Sequence, residues 1–207
     1  TAQMEAVFGD LDVKAVKIGM VAQLATIDAI VAGLVRWSPK HIVLDPVMVA
    51  TSGDRLLAID AIEALRTHLI PRASLITPNL PEAAALLGEP VALSEAAIEG
   101  QGKRLLSMGC RAVLIKGGHG QGRESIDYLF SHNGSTVALA APRIATTNTH
   151  GTGCSLSSAI AAGLAKGEEM EAAVRNAKAW LSAAIAAADR LDVGHGHGPI
   201  HHFHRFY

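Results

Sequence analysis

Residues 74–88 have the sequence SLITPNLPEAAALLG, and this stretch contains a complete strand-to-helix unit. The apolar run over residues 74–77 predicts a buried strand, which stops at Pro78 because proline cannot donate a main-chain hydrogen bond. Residues 82–87 predict a short helix, and Gly88 follows it as the residue type that most readily adopts the left-handed conformation at a helix end. A short strand followed at once by a helix is the building unit of an α/β fold.

The same alternation extends along the whole chain. Short runs rich in β-branched residues predict strands at 14–19, 41–48, 111–116, 126–131 and 136–140. Helical spacing of apolar residues covers 21–37, 58–69, 94–108, 154–165 and 170–191. This order predicts a three-layer α/β/α architecture, with a mostly parallel central sheet and helices on both faces. No internal repeat or change in composition marks a second domain, so we expect one domain over residues 1–207.

Composition excludes several classes of function. Apolar residues make up 49% of the chain and charged residues 18%, with a net charge of -1. Intrinsic disorder does not fit this balance, and a nucleic-acid surface would show an excess of Lys and Arg. No apolar run reaches the length of about 18 residues that a membrane-spanning helix needs. The two cysteines, Cys110 and Cys154, form no disulfide framework, so we expect a reducing, cytoplasmic location.

Polar motifs follow three of the predicted strands. Asp45 ends one strand, Thr77-Pro78-Asn79 ends the next, and Lys116-Gly117-Gly118 ends a third. Ligands of parallel α/β sheets bind outside the carboxyl ends of the strands. The sequence therefore predicts a ligand site at this edge of the sheet.

The strongest single motif is NTHGTGC at residues 148–154, directly before an almost wholly apolar helix. Gly151 and Gly153 leave main-chain N–H groups unobstructed at a helix N-terminus, where the helix dipole favours an anion or the charge on a transferring phosphoryl group. The alternative is a glycine-rich turn placed for close packing, followed by a buried Cys154. A P-loop is excluded because the chain contains no Gly-Lys-Ser or Gly-Lys-Thr.

Asn79 and Glu82 lie three residues apart at a strand-to-helix junction. Placed there, the two side chains face the same way and can hold a hydrated Mg²⁺. The alternative is a capping box, in which Asn79 caps the helix and Glu82 reaches back to the main chain.

Lys116 and Asp45 each have two interpretations. Lys116 at the end of a buried strand can contact a phosphate as a point charge, or it can face solvent. Asp45 needs a partner or a cation if it is buried, or it can cap a turn. The spaced glycines Gly118, Gly120 and Gly122 do not form a dinucleotide fingerprint, and they predict a flexible loop.

Histidines concentrate near the C-terminus, where His195, His197, His201, His202 and His204 occur. Such a cluster can bind a metal. Since no cysteine lies near it and Asp192 is the only adjacent carboxylate, an ordinary tail or an artefact of expression is the alternative.

Taken together and in order, the motifs resemble the ribokinase superfamily and, more narrowly, its hydroxymethylpyrimidine/phosphomethylpyrimidine kinases of thiamine biosynthesis. The segments that carry the resemblance are KIGM (17–20), LDPVM (44–48), SGD (52–54), LITPNLPEAAALLG (75–88), LIKGGH (114–119), NTHGTGC (148–154) and VGHGHGPIHHF (193–203). The last segment matches the C-terminus of that family, which argues against both an expression tag and a zinc site.

The resemblance implies a ribokinase-like fold, ATP and Mg²⁺ as cofactors, and a small pyrimidine alcohol or its monophosphate as phosphate acceptor. Gly151, Thr152 and Gly153 would form the anion hole for the transferring phosphoryl group. Cys154 would take the proton of the substrate hydroxyl, at a position where most ribokinase relatives have Asp. The resemblance also implies a homodimer.

The remaining site residues are carried over in the same way. Asn79 and Glu82 would organise Mg²⁺ around the triphosphate, with Asp45 nearby. Lys116, with Gly117 and Gly118, would contact ATP phosphates. Met20 and Val47 match positions that line the pyrimidine pocket of the family.

Two alternatives and one departure accompany this resemblance. A pyridoxal or pyridoxine kinase shares the scaffold, and a non-catalytic ligand-binding relative would keep the fold alone. The family pattern normally begins with a strand, a Gly-rich segment carrying an Asp, and substrate loops that include a Gln. None of these precedes Thr1, so we expect the domain to be N-terminally incomplete.

Overall fold

The computed structural model describes residues 1–48, 59–118 and 122–207. Its centre is a six-stranded sheet whose strands lie side by side in chain order. The strands are β1 (Ala15–Ile18), β2 (His41–Leu44), β3 (Leu75–Ile76), β4 (Ala112–Ile115), β5 (Glu124–Ser131) and β6 (Thr136–Pro142). Strands β1 to β4 pair in parallel, while β5 pairs antiparallel with both β4 and β6. The expected mostly parallel sheet is confirmed.

Helices connect and cover these strands. The α-helices among the described residues are α1 (Ala2–Asp10), α2 (Leu24–Trp37), α3 (Ile59–Ala64), α4 (Leu80–Leu87), α5 (Glu95–Leu106), α6 (Thr152–Ala165) and α7 (Met170–Ala186). After α3 the chain continues as a π-helical turn over Leu65–Leu69 and a 3-10 turn over Ile70–Arg72. A second 3-10 turn, Ala188–Arg190, follows α7.

The strands bury side chains on both faces of the sheet, which creates two hydrophobic cores. On β2, Ile42 and Leu44 point into the core that contains residues of α2, α3, α4 and α5. Val43, between them, points into the core formed with α6 and α7. Alternate residues of a strand face opposite sides, so a continuous apolar run is what a sheet covered on both faces requires. The predicted three-layer α/β/α architecture is confirmed.

Several boundaries differ from the prediction. The strand expected over residues 41–48 ends at Leu44, because Pro46 cannot join a strand ladder, and Asp45 therefore follows the strand directly. Helix α1 was not predicted, although Met4, Val7 and Phe8 have helical spacing, and none of its residues is buried. The stacking of Phe8 on Trp37 of α2, with ring centroids 5.1 Å apart, secures it instead.

The turn chemistry agrees with the sequence. Gly88 ends α4 with φ of 69°, and Gly134 in the β5–β6 turn has φ of 83°, both in the left-handed region that favours glycine. The SGD segment at residues 52–54, the helix start at Ala58 and the loop glycine Gly120 lie outside the described residues.

Across the described residues, no helix combines the length and apolar character needed to cross a bilayer.

Candidate functional site

Three polar side chains meet at the carboxyl ends of β2, β3 and β4. Lys116, after β4, places Nζ 2.9 Å from Oδ1 of Asp45, which follows β2. Thr77, after β3, donates its hydroxyl to the same oxygen at 2.9 Å. The predicted convergence of these strand ends is confirmed, and it brings together residues that are 71 positions apart in the chain.

The Asp45 carboxylate is completely enclosed. Its side chain is 1% exposed and that of Lys116 is 14% exposed. The Ser157 hydroxyl, from α6, lies 3.3 Å from Asp45 Oδ2. A buried carboxylate needs such partners because desolvation disfavours its charge. Among the residues that the structure describes, the Asp45 carboxylate contacts Lys116, Thr77 and Ser157 and caps no turn, and Lys116 does not face solvent.

Asn79 and Glu82 form a complete capping box at the start of α4. The Glu82 main-chain N–H donates to Asn79 Oδ1 at 2.8 Å, and the Asn79 N–H donates to Glu82 Oε2 at 2.8 Å. The capping interpretation of this pair is therefore correct as a description of its contacts. Binding of Mg²⁺ by the same pair remains a prediction.

The Glu82 carboxylate also lies close to the Lys116 ammonium that contacts Asp45. Its Oε2 lies 3.9 Å from Lys116 Nζ, and its side chain is buried. Burial raises the pKa of the Glu82 carboxyl above its ordinary value of 4.5, and the Lys116 ammonium opposes this shift only in part. Asp45 and Glu82 thus place two carboxylates against one ammonium.

This imbalance suits an additional cation bound together with phosphates. Among the described residues, no group of three or more His, Cys, Asp and Glu side chains is arranged to hold a metal alone. The cluster therefore fits an ion such as Mg²⁺, which takes one or two carboxylates and completes its shell with water and substrate phosphates.

The N-terminus of α6 lies beside this cluster. Gly151 caps the helix with φ of 80°, and a Cβ added to Gly153 would stand 3.3 Å from Lys116 Nζ and 3.8 Å from Asp45 Oδ2. Cys154, in the first turn, is exposed and not buried as the packing alternative required. In the described part of the chain, the N–H groups of Gly153 and Cys154 have no main-chain or side-chain acceptor, as expected of a helix start. Free N–H groups next to an ammonium form an anion-binding arrangement.

Gly117 and Gly118 were both expected to contact ATP phosphates, and the structure shows different surroundings for the two. A Cβ on Gly117 would lie 1.9 Å from the Ile126 carbonyl oxygen of β5, so close packing alone demands this glycine. The Gly117 N–H donates to Asp127 Oδ1 at 2.8 Å and is not free for a phosphate. Gly118 is exposed, and no atom of the described residues lies within 4 Å of its added Cβ. His119, the next residue of the LIKGGH motif, lies outside the described residues.

Met20 and Val47 follow β1 and β2, which are adjacent parallel strands. The Asp45 N–H donates to the Ile18 carbonyl at 2.9 Å and holds these two strand ends together. Met20 is 54% exposed, and Val47 is half-buried. Both residues lie at the same sheet edge as Asp45, while their contact with a pyrimidine remains a prediction.

Sequence reasoning missed three polar residues around the site. Ser157 donates toward Asp45, and Asp127 pairs with Lys178 beneath Gly117. A detectable signal existed for each of them. Ser157 lies four residues after Gly153 in an apolar helix, Asp127 interrupts an apolar strand, and Lys178 lies between the apolar residues 177 and 181 of α7.

The histidine-rich tail packs against the loop before α6. His202 Nε2 lies 2.8 Å from the Ser155 hydroxyl, and His197 Nδ1 lies 3.1 Å from the Thr147 carbonyl. The Gly198 N–H donates to Asn148 Oδ1 at 3.0 Å. These histidines bond to α6 and to the loop that precedes it.

Comparison with known proteins supports the family resemblance that the sequence motifs indicate. A family model described as phosphomethylpyrimidine kinase matches residues 1–201. The hydroxymethylpyrimidine/phosphomethylpyrimidine kinase of Rhizobium meliloti is 56% identical over 207 residues, which is 100% of this chain and 77% of that protein.

Solved structures show the shared fold. A phosphomethylpyrimidine kinase from Clostridium difficile has a TM-score of 0.76 at 40% identity, covering 89% of this chain and 74% of that one. The ADP complex of Bacillus subtilis pyridoxal kinase has a TM-score of 0.91 at 31% identity, covering 100% of this chain and 77% of that one. The ribokinase-like fold implied by the motifs is confirmed. Since the family model extends over nearly the whole chain and a curated relative shares more than half of its residues, this chain belongs to the phosphomethylpyrimidine kinase family.

Proposed function

We propose that this protein transfers the γ-phosphate of ATP to the hydroxymethyl oxygen of 4-amino-5-hydroxymethyl-2-methylpyrimidine, and a second phosphate to the resulting monophosphate. The observation that carries the proposal is the position of Lys116, which lies beside Gly153 at the N-terminus of α6. Membership of the phosphomethylpyrimidine kinase family supports the choice of acceptor.

The phosphoryl group is stabilised by charge and dipole. Gly151 and Gly153 direct their N–H groups at its equatorial oxygens, and Lys116 contacts phosphate oxygens. The Thr152 N–H, which the resemblance also assigned to the anion hole, donates to the Thr149 carbonyl at 3.3 Å and is not free for this role. Phosphoryl transfer needs little covalent assistance, because positioning and charge stabilisation provide most of the rate acceleration. Asp45 keeps the Lys116 ammonium in place through their 2.9 Å contact.

Cys154 accepts the proton of the attacking hydroxyl. Its side chain is exposed in the first turn of α6, next to the N–H groups that bind the phosphoryl group. The hydroxyl oxygen forms the new P–O bond, the bond from the γ-phosphorus to the bridging oxygen of ADP breaks, and the hydroxyl proton moves to Sγ. A loose transition state tolerates a thiolate where relatives have a carboxylate.

Mg²⁺ would be held by Glu82 and Asn79, with Asp45 nearby, and would neutralise charge on the phosphates. The position of Glu82 supports this, because its buried carboxylate and that of Asp45 share the single Lys116 ammonium. Gly118 is the member of the Gly117-Gly118 pair that remains accessible to ATP, because the Gly117 N–H already bonds to Asp127.

The acceptor site includes Met20 and Val47 at the ends of β1 and β2. We further propose that residues 1–207 form one kinase domain, that the protein acts in the cytoplasm, and that it forms a homodimer. Its partners are then ATP and a small pyrimidine, with neither nucleic acid nor membrane.

A pyridoxal kinase is the second candidate. The specific observation in its favour is the TM-score of 0.91 with the Bacillus subtilis pyridoxal kinase, although the identity there is only 31%. The higher identity of 56% to the Rhizobium meliloti pyrimidine kinase favours the pyrimidine alcohol.

The proposal is tested by incubating the protein with Mg²⁺, ATP and the pyrimidine alcohol and identifying the products by mass spectrometry. We expect the monophosphate first and the diphosphate later. Cys154→Ala should lose most of the turnover and retain nucleotide binding, measured by calorimetry with ADP. Absence of both phosphorylated products would contradict the proposal, and unchanged turnover in Cys154→Ala would remove the thiol from the mechanism.

A further inference from the structure

A buried ion pair lies beside the Lys116 segment, and no step of the proposed reaction uses it. Lys178 Nζ, on α7, lies 2.7 Å from Asp127 Oδ2, on β5, and the two side chains are only 10% and 8% exposed. Lys178 also donates to the Ser125 carbonyl at 3.1 Å. Both ends of the Lys178 side chain are thus anchored, one by its own helix and the other by β5.

The second carboxylate oxygen of Asp127 bonds to Gly117, which follows Lys116 after the end of β4. Asp127 Oδ1 accepts the Gly117 N–H at 2.8 Å. On the other side, the Lys116 N–H donates to the Pro78 carbonyl at 2.8 Å. The main chain at Lys116 and Gly117 is therefore held by the end of β3 on one side and by β5 on the other.

The spacing of this segment is fixed by contact as well as by hydrogen bonding. The Ile126 carbonyl lies so close to Gly117 that an added Cβ would be 1.9 Å from its oxygen. The backbone at Gly117 rests directly on β5, and the hydrogen bond from its N–H to Asp127 sets the orientation of the peptide group that Gly117 shares with Lys116.

We propose that Asp127, oriented by Lys178, is a positioning residue that holds the Lys116 ammonium in place for the nucleotide phosphates by accepting the Gly117 N–H. Buried ion pairs are weak contributors to stability, since desolvation offsets their attraction. The Asp127–Lys178 pair has a different role, because Asp127 accepts a hydrogen bond from Gly117 just after the end of β4. This inference rests on the proposed function, because it assigns Lys116 to ATP.

Two matched double variants isolate the hydrogen bond. D127N/K178M removes both charges and keeps a side-chain oxygen as acceptor for Gly117. D127L/K178M also removes both charges, has nearly the same side-chain volume, and leaves the Gly117 N–H without an acceptor. Arg175→Met, one turn before Lys178 on the exposed face of α7, is the control for a lost surface ion pair with Glu171.

Three measurements are made on each variant: the exchange rate of the Gly117 amide by NMR, the affinity for a nonhydrolysable ATP analogue, and KM for ATP and for the pyrimidine. In D127L/K178M we expect faster Gly117 exchange and about fivefold weaker nucleotide binding, the effect of losing one hydrogen bond. KM for ATP should rise by a similar factor while KM for the pyrimidine stays unchanged. D127N/K178M should retain most of the nucleotide affinity of the wild type.

Equal nucleotide affinity in the two double variants would overturn the proposal, as would a parallel rise in both KM values. Should D127L/K178M fail to fold, Lys178→Met is compared with Arg175→Met. Weaker nucleotide binding in the former alone supports the proposal, and equal binding overturns it. Nucleotide affinity is measured without turnover. A wild-type protein without kinase activity would therefore refute the proposed function, while the role of Asp127 would still be tested by nucleotide binding.

Discussion

The Lys116 ammonium lies 2.9 Å from the Asp45 carboxylate, in a contact that is closed to solvent on the Asp45 side. The two residues follow strands β4 and β2, with β3 between them. This pair fixes a positive charge at the sheet edge next to the N-terminus of α6. The contribution of this pair to the free energy of unfolding and its effect on KM for ATP can be measured.

Asp45→Asn should lower the free energy of unfolding by about 2 kcal/mol, because the largely buried Lys116 ammonium loses its 2.9 Å hydrogen bond to a carboxylate and keeps only the Glu82 carboxylate, at 3.9 Å. KM for ATP should also rise, since Lys116 loses the group that holds it. Urea unfolding and steady-state kinetics measure the two effects. Asp12→Asn is the control, because the Asp12 carboxylate is 78% exposed and its pair with Lys14 should contribute at most about 1 kcal/mol. Equal stability loss in the two variants would contradict the account.

Gly117→Ala should destabilise the fold by about 3 kcal/mol or more, because its Cβ would overlap the Ile126 carbonyl. Gly118→Ala should change the stability by less than about 0.5 kcal/mol, since open space surrounds that position. Thermal unfolding of both variants tests the difference. Similar melting temperatures for the two would show that packing against β5 does not explain Gly117.

The stability of Glu82→Gln relative to that of wild type should increase as pH rises from 4 to 7. Burial raises the pKa of the Glu82 carboxyl above 4.5, so the folded state binds more protons than the unfolded state in the interval above that value. Wild-type stability therefore falls as pH rises through this interval. Gln keeps the acceptor for the Asn79 N–H and does not titrate.

The measurement for Glu82 is the difference in melting temperature between Glu82→Gln and wild type at several pH values, with kinase activity in parallel. The difference should move in favour of the variant with increasing pH, while its activity falls and its Mg²⁺ requirement rises. A difference that moves in favour of wild type would contradict the burial argument. An unchanged Mg²⁺ requirement would leave Glu82 with its capping role alone.

Alkylation should distinguish the two thiols in the native protein. Burial raises the pKa of the Cys110 thiol to about 12, so Cys110 is neither ionised nor accessible at pH 7. Cys154 is exposed at a helix N-terminus and should react first. Peptide mapping after brief iodoacetamide treatment measures both sites, and Cys154→Ser is the control. Loss of kinase activity should parallel modification of Cys154, and faster labelling of Cys110 would contradict the structure.

The architecture was predictable because its signals are local. Continuous apolar runs such as residues 111–116 predict strands buried on both faces, and Gly88 and Gly134 mark turns through their own backbone requirements. The convergence of Asp45 and Lys116 also followed, since parallel strands bring their carboxyl ends to one edge. Helix α1 was missed although Met4, Val7 and Phe8 have helical spacing, while its stacking contact with α2, between Phe8 and Trp37, is visible only in the tertiary structure.

The meeting of Asp45, Thr77 and Lys116 at one sheet edge was predictable, and the other contacts around them were less so. Gly117 looked like a phosphate-approach residue, whereas the Ile126 carbonyl of the neighbouring strand β5 is what requires it. The interaction of Asp127 with Lys178 joins residues 51 positions apart on different elements, and no spacing rule connects them. Partners of this kind depend on the three-dimensional packing of β5 against α7.

The central claim is that this protein phosphorylates a pyrimidine alcohol at the N-terminus of α6. A competition assay tests it most directly: equal concentrations of 4-amino-5-hydroxymethyl-2-methylpyrimidine and pyridoxal are offered with ATP and Mg²⁺. The ratio of the two phosphorylated products gives the ratio of the kcat/KM values. We predict a large excess of the pyrimidine phosphate, and an excess of pyridoxal phosphate would contradict the account.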